Sequence, residues 1–187
     1  MLQKIKPYVA DKTIILISPG YSISKAKSIV GENANVIRLM PNTAVSIGQG
    51  VLGICFDGFN NENIKNFLIN EFSKTGTVVN ISEKEFDVFG IISGCMPAIV
   101  SEFIEALSDG AVLNGFNRQK SYEVLAKAIA GSCELIAQTG KHPAQLKDEV
   151  TSPGGTTIKT LSVLEDYSFR SALIQAVNAG VEKSKNM

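Results

Sequence analysis

The sequence predicts a chain in two parts, an α/β sheet segment over residues 1–82 and an all-helical segment over residues 83–187. In the first part, short apolar runs alternate with stretches of helical period, which is typical of α/β sheets. In the second part no β-rich run occurs, and apolar residues recur at helical spacing. The length of 187 residues allows one large or two small domains with a real hydrophobic core.

Four strands are predicted from runs rich in β-branched and apolar residues. They are TIILIS at 13–18, NVIRLM at 35–40, QGVLGICF at 49–56 and TVVNIS at 77–82. Between them, a helix over 23–30 is capped by Ser22 and ended by Gly31. A second helix over 61–76 has an apolar face, and Gly76 is assigned as its C-terminal cap.

The second part begins with a helix-start signature. Ser82 and Glu85 form a capping box, S-x-x-E, and helical pattern continues from there to Gly115. Gly94 and Pro97 are expected to kink or split this helix. Further helices are predicted at 117–140, at 143–149, at about 156–165 and from Ser168 onward. The helix at 117–140 is apolar or small over so wide an arc that we expect it to be buried, with a second subunit as one candidate cover.

Composition argues against several function classes. Lys plus Arg and Asp plus Glu number 18 each, and no basic run occurs, so neither nucleic acid nor a membrane surface is expected as a partner. No apolar run reaches the roughly 18 residues that span a bilayer. Cys55, Cys95 and Cys133 are widely spaced in apolar segments, which indicates reduced thiols in the core of a cytoplasmic protein. With a single histidine and no Cys-x-x-Cys pair, no metal site is expected.

The stretch EVTSPGGTT, at 149–157, is a candidate anion site. Gly154 and Gly155 directly precede a predicted helix, whose first N–H groups are unpaired and carry partial positive charge. Glycine lets a ligand come close to that backbone. The loop also carries hydroxyls that would bind an anion; these belong to Ser152, Thr156 and Thr157. The pattern fits a carboxylate or a phosphate, and an ordinary Ser-Pro turn with a helix cap fits it as well.

A second candidate is RLMPNTAVSIGQG, at 38–50, which leaves a predicted strand through Pro41 and Asn42. Ligands of open α/β sheets bind beyond the carboxyl ends of strands, where Asn42 could orient an amide or hydroxyl. The alternative is an Asx turn at the strand end.

Two further polar stretches are interpreted as structural. His142 precedes Pro143 and is expected to start a helix rather than to act in catalysis. Asp148 and Glu149 are adjacent, so they do not share a helix face and are not proposed as an acid/base pair.

Taken together, these stretches resemble the pyrroline-5-carboxylate reductase family. The resemblance is carried by VIRLMPNTA at 36–44, SGCMPAIVSEFIEALSDGAVLNG at 93–115, HPAQLKDEVTSPGGTTIKTLSVLED at 142–166 and FRSALIQAV at 169–177. It runs over nearly the whole chain, and the block at 142–166 is specific because about two dozen consecutive positions match.

The resemblance implies reduction of 1-pyrroline-5-carboxylate to proline with NADPH or NADH, the last step of proline biosynthesis. It implies a Rossmann-like dinucleotide-binding domain over 1–82 and a helical domain over 83–187 that dimerises and forms the substrate site. Carried over, the substrate loop falls on Ser152, Gly154, Gly155, Thr156 and Thr157. The backbone N–H groups around Gly154 to Thr157 would hold the substrate carboxylate, and the hydroxyl of Thr157, the catalytic residue, would face the ring nitrogen. Met40, Pro41 and Asn42 would lie near the nicotinamide.

The chain departs from the family at one motif. A strand followed by G-x-G-x-x-G and a helix, which cradles the pyrophosphate, is not present among these residues. We therefore expect the sequence to begin inside the dinucleotide domain and to bind the nucleotide weakly by itself. Two function classes stay open: the reductase, and a non-catalytic substrate-binding and dimerisation module of the same family.

Overall fold

A computed structural model describes all residues, Met1–Met187. It has four strands: β1 Thr13–Leu16, β2 Asn35–Met40, β3 Gly50–Cys55 and β4 Gly76–Asn80. It has nine α-helices: α1 Leu2–Ile5, α2 Ile23–Val30, α3 Glu62–Ser73, α4 Phe86–Phe89, α5 Met96–Leu113, α6 Arg118–Thr139, α7 Pro143–Glu149, α8 Thr156–Asp166 and α9 Phe169–Lys185. Short 3-10 turns lie at Lys6–Tyr8, Thr43–Ile47 and Glu83–Glu85, and a π-turn at Gly90–Gly94. The α/β part followed by an all-helical part is confirmed.

The four strands form one mixed sheet in the order β1-β2-β3-β4. β1 and β2 are parallel, β2 and β3 antiparallel, and β3 and β4 parallel. Side chains of successive residues point to opposite faces, and both faces are covered at the central strands β2 and β3. This double cover explains why β2 and β3 are nearly continuous apolar runs, whereas the edge strands β1 and β4 keep exposed residues.

Each face of the sheet carries its own core layer. One layer packs α2 and Phe86 of α4 against alternate strand residues; its buried members are Ile14, Leu16, Ile23, Ala26, Val30, Ala34, Val36, Cys55 and Phe86. The opposite layer packs α3 against the residues between; its buried members are Ile37, Leu39, Leu52, Ile54, Phe56, Phe59 and Leu68. The period of two along β2 assigns Val36 to the first layer and Ile37 to the second.

A buried arginine lies inside the first layer. Arg38 is only 5% exposed, and its Nη1 lies 3.3 Å from Oε1 of Glu83. The guanidinium carbon lies 3.7 Å from the centre of the Phe86 ring. The same Glu83 oxygen accepts the N–H of Ile23, the first residue of α2, at 2.6 Å. One carboxylate thus joins the strand, the start of α2 and the turn before α4, a connection that the sequence did not predict.

The assignment of Gly76 as a helix cap is wrong. The helix α3 ends at Ser73 with Lys74 as its cap, and Gly76 is the first residue of β4. Its φ is +149°, and a Cβ at this position would meet the backbone of Gly50 in the neighbouring strand. Glycine is needed here because two backbones approach each other at the start of the β3–β4 pair.

The predicted break in the long helix after Ser82 is confirmed. The capping box is formed, since Oε2 of Glu85 accepts both the N–H and the hydroxyl of Ser82, at 2.9 and 2.7 Å. The helix then widens into the π-turn, where the N–H of Cys95 reaches the carbonyl of Gly90 at 3.2 Å. A bond from residue i+5 to residue i is the mark of a π-turn, a feature frequent at functional sites.

By internal contacts the chain divides into two compact units, which are residues Met1–Pro97 with Ala176–Met187, and Ala98–Gln175. In the first unit, the end of α9 packs on α4 and the π-turn: the hydroxyl of Ser184 donates to Asp87 at 2.8 Å. In the second unit, Ser108 of α5 and Ser121 of α6 are buried and hydrogen-bonded to each other, so these two helices touch through small side chains.

The expectation that the helix at 117–140 is buried is not met within one chain. Of α6 only Ser121 is buried, and Val124 and Leu135 are each more than half exposed. The apolar face is present, but this single chain has no element that covers it. A second subunit is the other cover that the sequence suggested for this face.

The expectation about membrane-spanning segments also needs correction. By length and composition, the helical region Glu83–Leu113 is long and apolar enough to cross a bilayer. Its longest run without a charged residue is shorter than the roughly 18 residues that span a bilayer. A window that tolerates two charged residues accepts the segment, whereas a count of uninterrupted apolar residues does not. A core helix of a soluble protein meets the same criterion, so this single segment is weak support for a membrane location.

The cysteines are free, as expected, but only one of them fills the core. Cys55 is buried, whereas Cys95 and Cys133 are exposed. Burial raises the pKa of the Cys55 thiol from 9.0 to about 11. The nearby carboxylates of Asp57 and Glu83 add to this rise, and a backbone hydrogen bond at Asp57 opposes it. Cys55 is therefore an unreactive thiol at neutral pH.

The shifted pKa of Cys55 predicts a loss of stability at alkaline pH. The unfolded chain loses the thiol proton near pH 9 and the folded chain only near pH 11. The part of the free energy of unfolding that comes from the protonated Cys55 thiol is therefore fully present below pH 9. It falls by up to about 2 kcal/mol as the pH rises to 11. Urea unfolding at pH 8 and pH 10.5 should show this extra loss in the parent and in Cys133→Ala, but not in Cys55→Ala. Parallel losses in all three proteins would contradict the assignment.

Candidate functional site

The loop before α8 is a tight turn built on Pro153 and Gly154. The N–H of Gly155 donates to the carbonyl of Ser152 at 3.1 Å and closes the turn. Gly154 has φ +69°, a conformation that L-residues other than Asn and Asp rarely adopt. Proline at the second position and a left-handed glycine at the third are typical of a type II turn.

The second glycine of the loop serves a different purpose. Gly155 has φ −75° and ψ 175°, which any residue can adopt, so no conformational reason requires glycine here. A Cβ at Gly155 would instead collide with the hydroxyl oxygen of Ser152 and lie 3.2 Å from its carbonyl oxygen. Gly154 thus provides the turn, and Gly155 provides the space into which Ser152 folds.

The N-terminus of α8 is open. Gly155 is its cap residue, and no side chain caps the first turn. The first intrahelical hydrogen bond runs from Lys159 N–H to the Gly155 carbonyl, at 3.4 Å. The preceding N–H groups, of Thr156, Thr157 and Ile158, have no acceptor in the structure. Three donors at the positive end of a helix dipole suit an anion such as a carboxylate.

The hydroxyls expected to face a ligand lie in different surroundings. The Thr157 side chain is half-buried and its hydroxyl makes no hydrogen bond within the chain, whereas Thr156 is exposed. The Ser152 hydroxyl lies over Gly155. The structure therefore brings together the loop residues proposed from the sequence, with one difference. The N–H of Gly155 is used inside the turn and is not available to a ligand.

Charged residues beside the loop are paired with one another. Lys141 binds both oxygens of Glu149, at 2.8 and 3.0 Å, and Lys147 lies 3.1 Å from Asp148. These pairs leave no free carboxylate to repel an anion at α8. They also agree with the view that Asp148 and Glu149 are not an acid/base pair.

His142 starts α7, as the sequence predicted. Its Nδ1 accepts the N–H of Ala144 at 3.2 Å, and Pro143 occupies the first helical position. The imidazole is thus a capping group, which explains its presence without a catalytic role.

The second candidate stretch, Met40–Asn42, lies in the other unit at the end of β2. The Asn42 side chain is held by backbone: its Oδ1 accepts the N–H of Val51 at 3.3 Å, and its Nδ2 donates to the carbonyl of Ser93 at 3.4 Å. The predicted Asx turn at Asn42 is not formed, because the amide bonds to distant residues rather than to its own turn.

Met40 lies against the π-turn. A Cβ at Gly90 would come within 3.3 Å of the Met40 methyl carbon, and one at Gly94 within 3.9 Å of its sulfur. The thioether is only partly buried, so it presents an apolar surface beside Gly90 and Gly94, the two residues of the π-turn that have no side chain. Such a surface suits a flat ring more than a charged group.

Two residues that support this stretch were missed from the sequence. Ser93 is buried, and its hydroxyl donates to the carbonyl of Val51 at 3.2 Å. Gly53 leaves room for the Phe89 ring, because a Cβ at position 53 would lie only 2.5 Å from a ring carbon. A signal for Ser93 exists, since Pro97 follows it by four residues and cannot supply the helical N–H that Ser93 would otherwise accept. No group of three His, Cys, Asp or Glu residues is placed to hold a metal.

Comparisons with known proteins agree on one family. Residues 83–187 match the family described as pyrroline-5-carboxylate reductase dimerisation. A pyrroline-5-carboxylate reductase of Glycine max is 36% identical over 188 residues, which is 100% of this chain and 68% of that protein. The enzyme of Synechocystis sp. is 37% identical over 199 residues, 100% of this chain and 74% of the relative.

Solved structures give the same result. A pyrroline carboxylate reductase of Plasmodium falciparum with NADP bound has a TM-score of 0.94 and 38% identity, covering 99% of this chain and 75% of that one. A 1-pyrroline-5-carboxylate reductase of Streptococcus pyogenes has a TM-score of 0.92 and 27% identity, covering 100% of this chain and 72% of that one. By sequence over its whole length and by fold, this chain belongs to the pyrroline-5-carboxylate reductase family.

Proposed function

We propose that this chain acts in the NAD(P)H-dependent reduction of 1-pyrroline-5-carboxylate to proline. Family membership supports this activity, and the open N-terminus of α8 is the structural observation that carries it. The substrate is a five-membered cyclic imine with one carboxylate. A protein that reduces it needs a clamp for the carboxylate, a hydrogen-bond partner at nitrogen and a positioned hydride donor.

The carboxylate clamp is assigned to the first turn of α8. The N–H groups of Thr156, Thr157 and Ile158 are free, and the small Gly154 and Gly155 leave room beside them. An anion at a helix N-terminus is typically stabilised by about 0.3–1 kcal/mol, and by up to about 2 kcal/mol in a partly buried site. The substrate carboxylate would supply the cap that the sequence of this helix lacks.

The hydrogen-bond partner at nitrogen is assigned to Thr157. Its hydroxyl has no partner within the chain and lies in the same helical turn as the clamp. Hydride addition at the imine carbon turns the C=N double bond into a single bond, and the nitrogen takes up one proton from water, either before the hydride arrives or as it arrives. A hydroxyl at that nitrogen holds the ring in one orientation and accepts from the N–H that forms. No strong base is needed for this chemistry.

The nicotinamide end of the cofactor is assigned to Met40, Pro41 and Asn42. When bound, the reduced nicotinamide supplies the hydride. The residues fit a flat ring, because the Met40 thioether is partly exposed beside Gly90 and Gly94. A G-x-G-x-x-G motif is not among the residues of this chain, so the assignment concerns the nicotinamide end only.

The rest of the proposal concerns organisation and location. We place the functional boundary at residue 82, with the dinucleotide-binding part before it and the substrate-binding and dimerisation part after it. We propose a cytoplasmic homodimer or a larger assembly of dimers, with no nucleic acid or membrane partner. The second candidate function is a module that binds substrate and dimerises without turnover.

Turnover separates these two functions. Purified protein is given NADPH or NADH with 1-pyrroline-5-carboxylate, and proline formation is measured together with proline binding by calorimetry. Proline formation supports the reductase. Binding without proline formation supports the module, and the absence of both contradicts the substrate assignment.

A substitution in the loop is expected to abolish proline binding. Gly155→Val places a branched side chain where Ser152 folds and beside the free N–H groups, so we expect at least about a tenfold loss. Gly58→Asn is the control, because Asn tolerates the left-handed conformation of Gly58, nothing lies within 4 Å of the new Cβ, and the residue is not part of the loop. Calorimetry with proline is the measurement. If Gly155→Val binds like the parent, the loop is only a turn.

The Thr157 hydroxyl is expected to recognise the ring nitrogen. Thr157→Ala should weaken proline about fivefold, the value of one hydrogen bond, and leave cyclopentanecarboxylate, which has no ring nitrogen, unchanged. Thr160→Ala is the control, since that hydroxyl donates to the carbonyl of Thr156 at 3.0 Å and faces no ligand. Equal losses for both ligands in Thr157→Ala would show that the hydroxyl has no such role.

The exposed apolar residues of the helical unit predict a homodimer. They include Leu113 (87% exposed), Leu135 and Ile174, and α5 and α9 enclose an apolar groove of about 650 Å³ that contains Phe103 and Phe169. Leu135→Glu should produce monomers or aggregates in light scattering at micromolar concentration. Phe67→Glu is the control, since Phe67 is an exposed residue of α3 in the sheet-containing unit. A stable, folded monomer of the parent would contradict this assignment.

A further inference from the structure

Two backbone groups in the same region lack the partners that a regular strand or helix would give them. The antiparallel pairs Arg38↔Cys55, Leu39↔Ile54 and Met40↔Gly53 set a register that continues to Asn42 opposite Val51. The ladder stops at Met40, before Pro41. Beyond this point the N–H of Val51 is accepted by a side chain, the Oδ1 of Asn42, at 3.3 Å, instead of by a backbone carbonyl.

The second orphan group is the carbonyl of Ser93. In a regular helix it would accept the N–H of the residue four positions later, which here is Pro97 and has none. The helix is also widened, since the Cys95 N–H goes to the Gly90 carbonyl. The Ser93 carbonyl instead accepts from Nδ2 of Asn42, at 3.4 Å. One amide thus replaces two missing backbone partners, with its oxygen bonded to one backbone group and its nitrogen to the other.

The hydroxyl of Ser93 adds a third connection. It donates to the carbonyl of Val51 at 3.2 Å and is buried. Asn42 and Ser93 therefore hold the two backbone groups of one residue, Val51. Met40 precedes Asn42 by two residues, and its thioether lies against Gly90 and Gly94 of the π-turn that contains Ser93.

We propose that Asn42 and Ser93 are a positioning pair that holds the Met40 thioether against the π-turn, and that the nicotinamide ring is recognised through Met40. The proposal rests on the proposed function of the Met40–Asn42 segment. It differs from a direct role of the Asn42 amide, because that amide is committed to Val51 and Ser93. It also explains the proline at position 97: because Pro97 has no N–H, the Ser93 carbonyl is available to Asn42.

The pairing predicts that restoring a backbone donor will disturb the cofactor segment. Pro97→Ala supplies an N–H that competes with Asn42 for the Ser93 carbonyl. Asn42→Ala removes both amide bonds, and Ser93→Ala removes only the hydroxyl bond to Val51, which Ser93→Thr can restore. Pro7→Ala, in the exposed turn Lys6–Tyr8, is the matched control for loss of a proline.

The test uses the full chain with ¹³C-methyl-labelled methionine and reduced nicotinamide mononucleotide, which contains the nicotinamide end without the pyrophosphate linkage. Without ligand, we expect the Met40 methyl resonance to shift or broaden in Asn42→Ala and Pro97→Ala, to change less in Ser93→Ala, and to stay in place in Ser93→Thr and Pro7→Ala. In titrations that follow the same resonance, the first two variants should bind the mononucleotide about three- to tenfold more weakly.

Each outcome has a distinct meaning. An unchanged Met40 resonance in Asn42→Ala and Pro97→Ala overturns the positioning pair. A shifted resonance with unchanged mononucleotide affinity shows a structural role alone and also overturns the proposal. If the Met40 resonance of the parent does not respond to the mononucleotide, the assignment of this segment to the nicotinamide fails as well. In the first two outcomes the parent does respond, so only the positioning pair is overturned.

Discussion

The buried guanidinium of Arg38 is the constraint on which the sheet-containing unit depends. A charge at this depth is costly unless it is paired, and Glu83 supplies the partner while Phe86 covers the planar face. Because Glu83 also receives the first N–H of α2, the ion pair sets where α2 and the turn before α4 meet the sheet. Removing either charge would leave the other without its partner, so the arrangement is kept as a whole.

The position of α4 then decides what lies beside the end of β2. From α4 the chain runs directly into the π-turn, whose glycines leave room for Met40. Gly53 contributes from the strand side, since only a residue without a side chain admits the Phe89 ring. The segment that the resemblance assigns to the nicotinamide is thus shaped by close approaches of backbone rather than by reactive side chains. This agrees with a reaction that depends on orientation more than on acid/base groups.

The helical unit follows a different physical rule. Its helices carry apolar residues that this single chain leaves in contact with water, and exposed patches of this kind usually mark an interaction surface. The match of residues 83–187 to a dimerisation family names the kind of partner, a second copy of the chain.

Local chemistry explains why so much of the fold could be predicted from the sequence. Strand runs, the Ser22 cap, the capping box of Ser82 and Glu85, and the start of α7 at His142 depend on neighbouring residues only, and the structure confirms them. The turn at Gly154 is also local, since proline and glycine define its geometry. The tertiary structure alone decided which distant groups meet. It paired Arg38 with Glu83, brought Asn42 to Val51 and Ser93, and placed Gly76 against Gly50, because these contacts join residues that no sequence period connects.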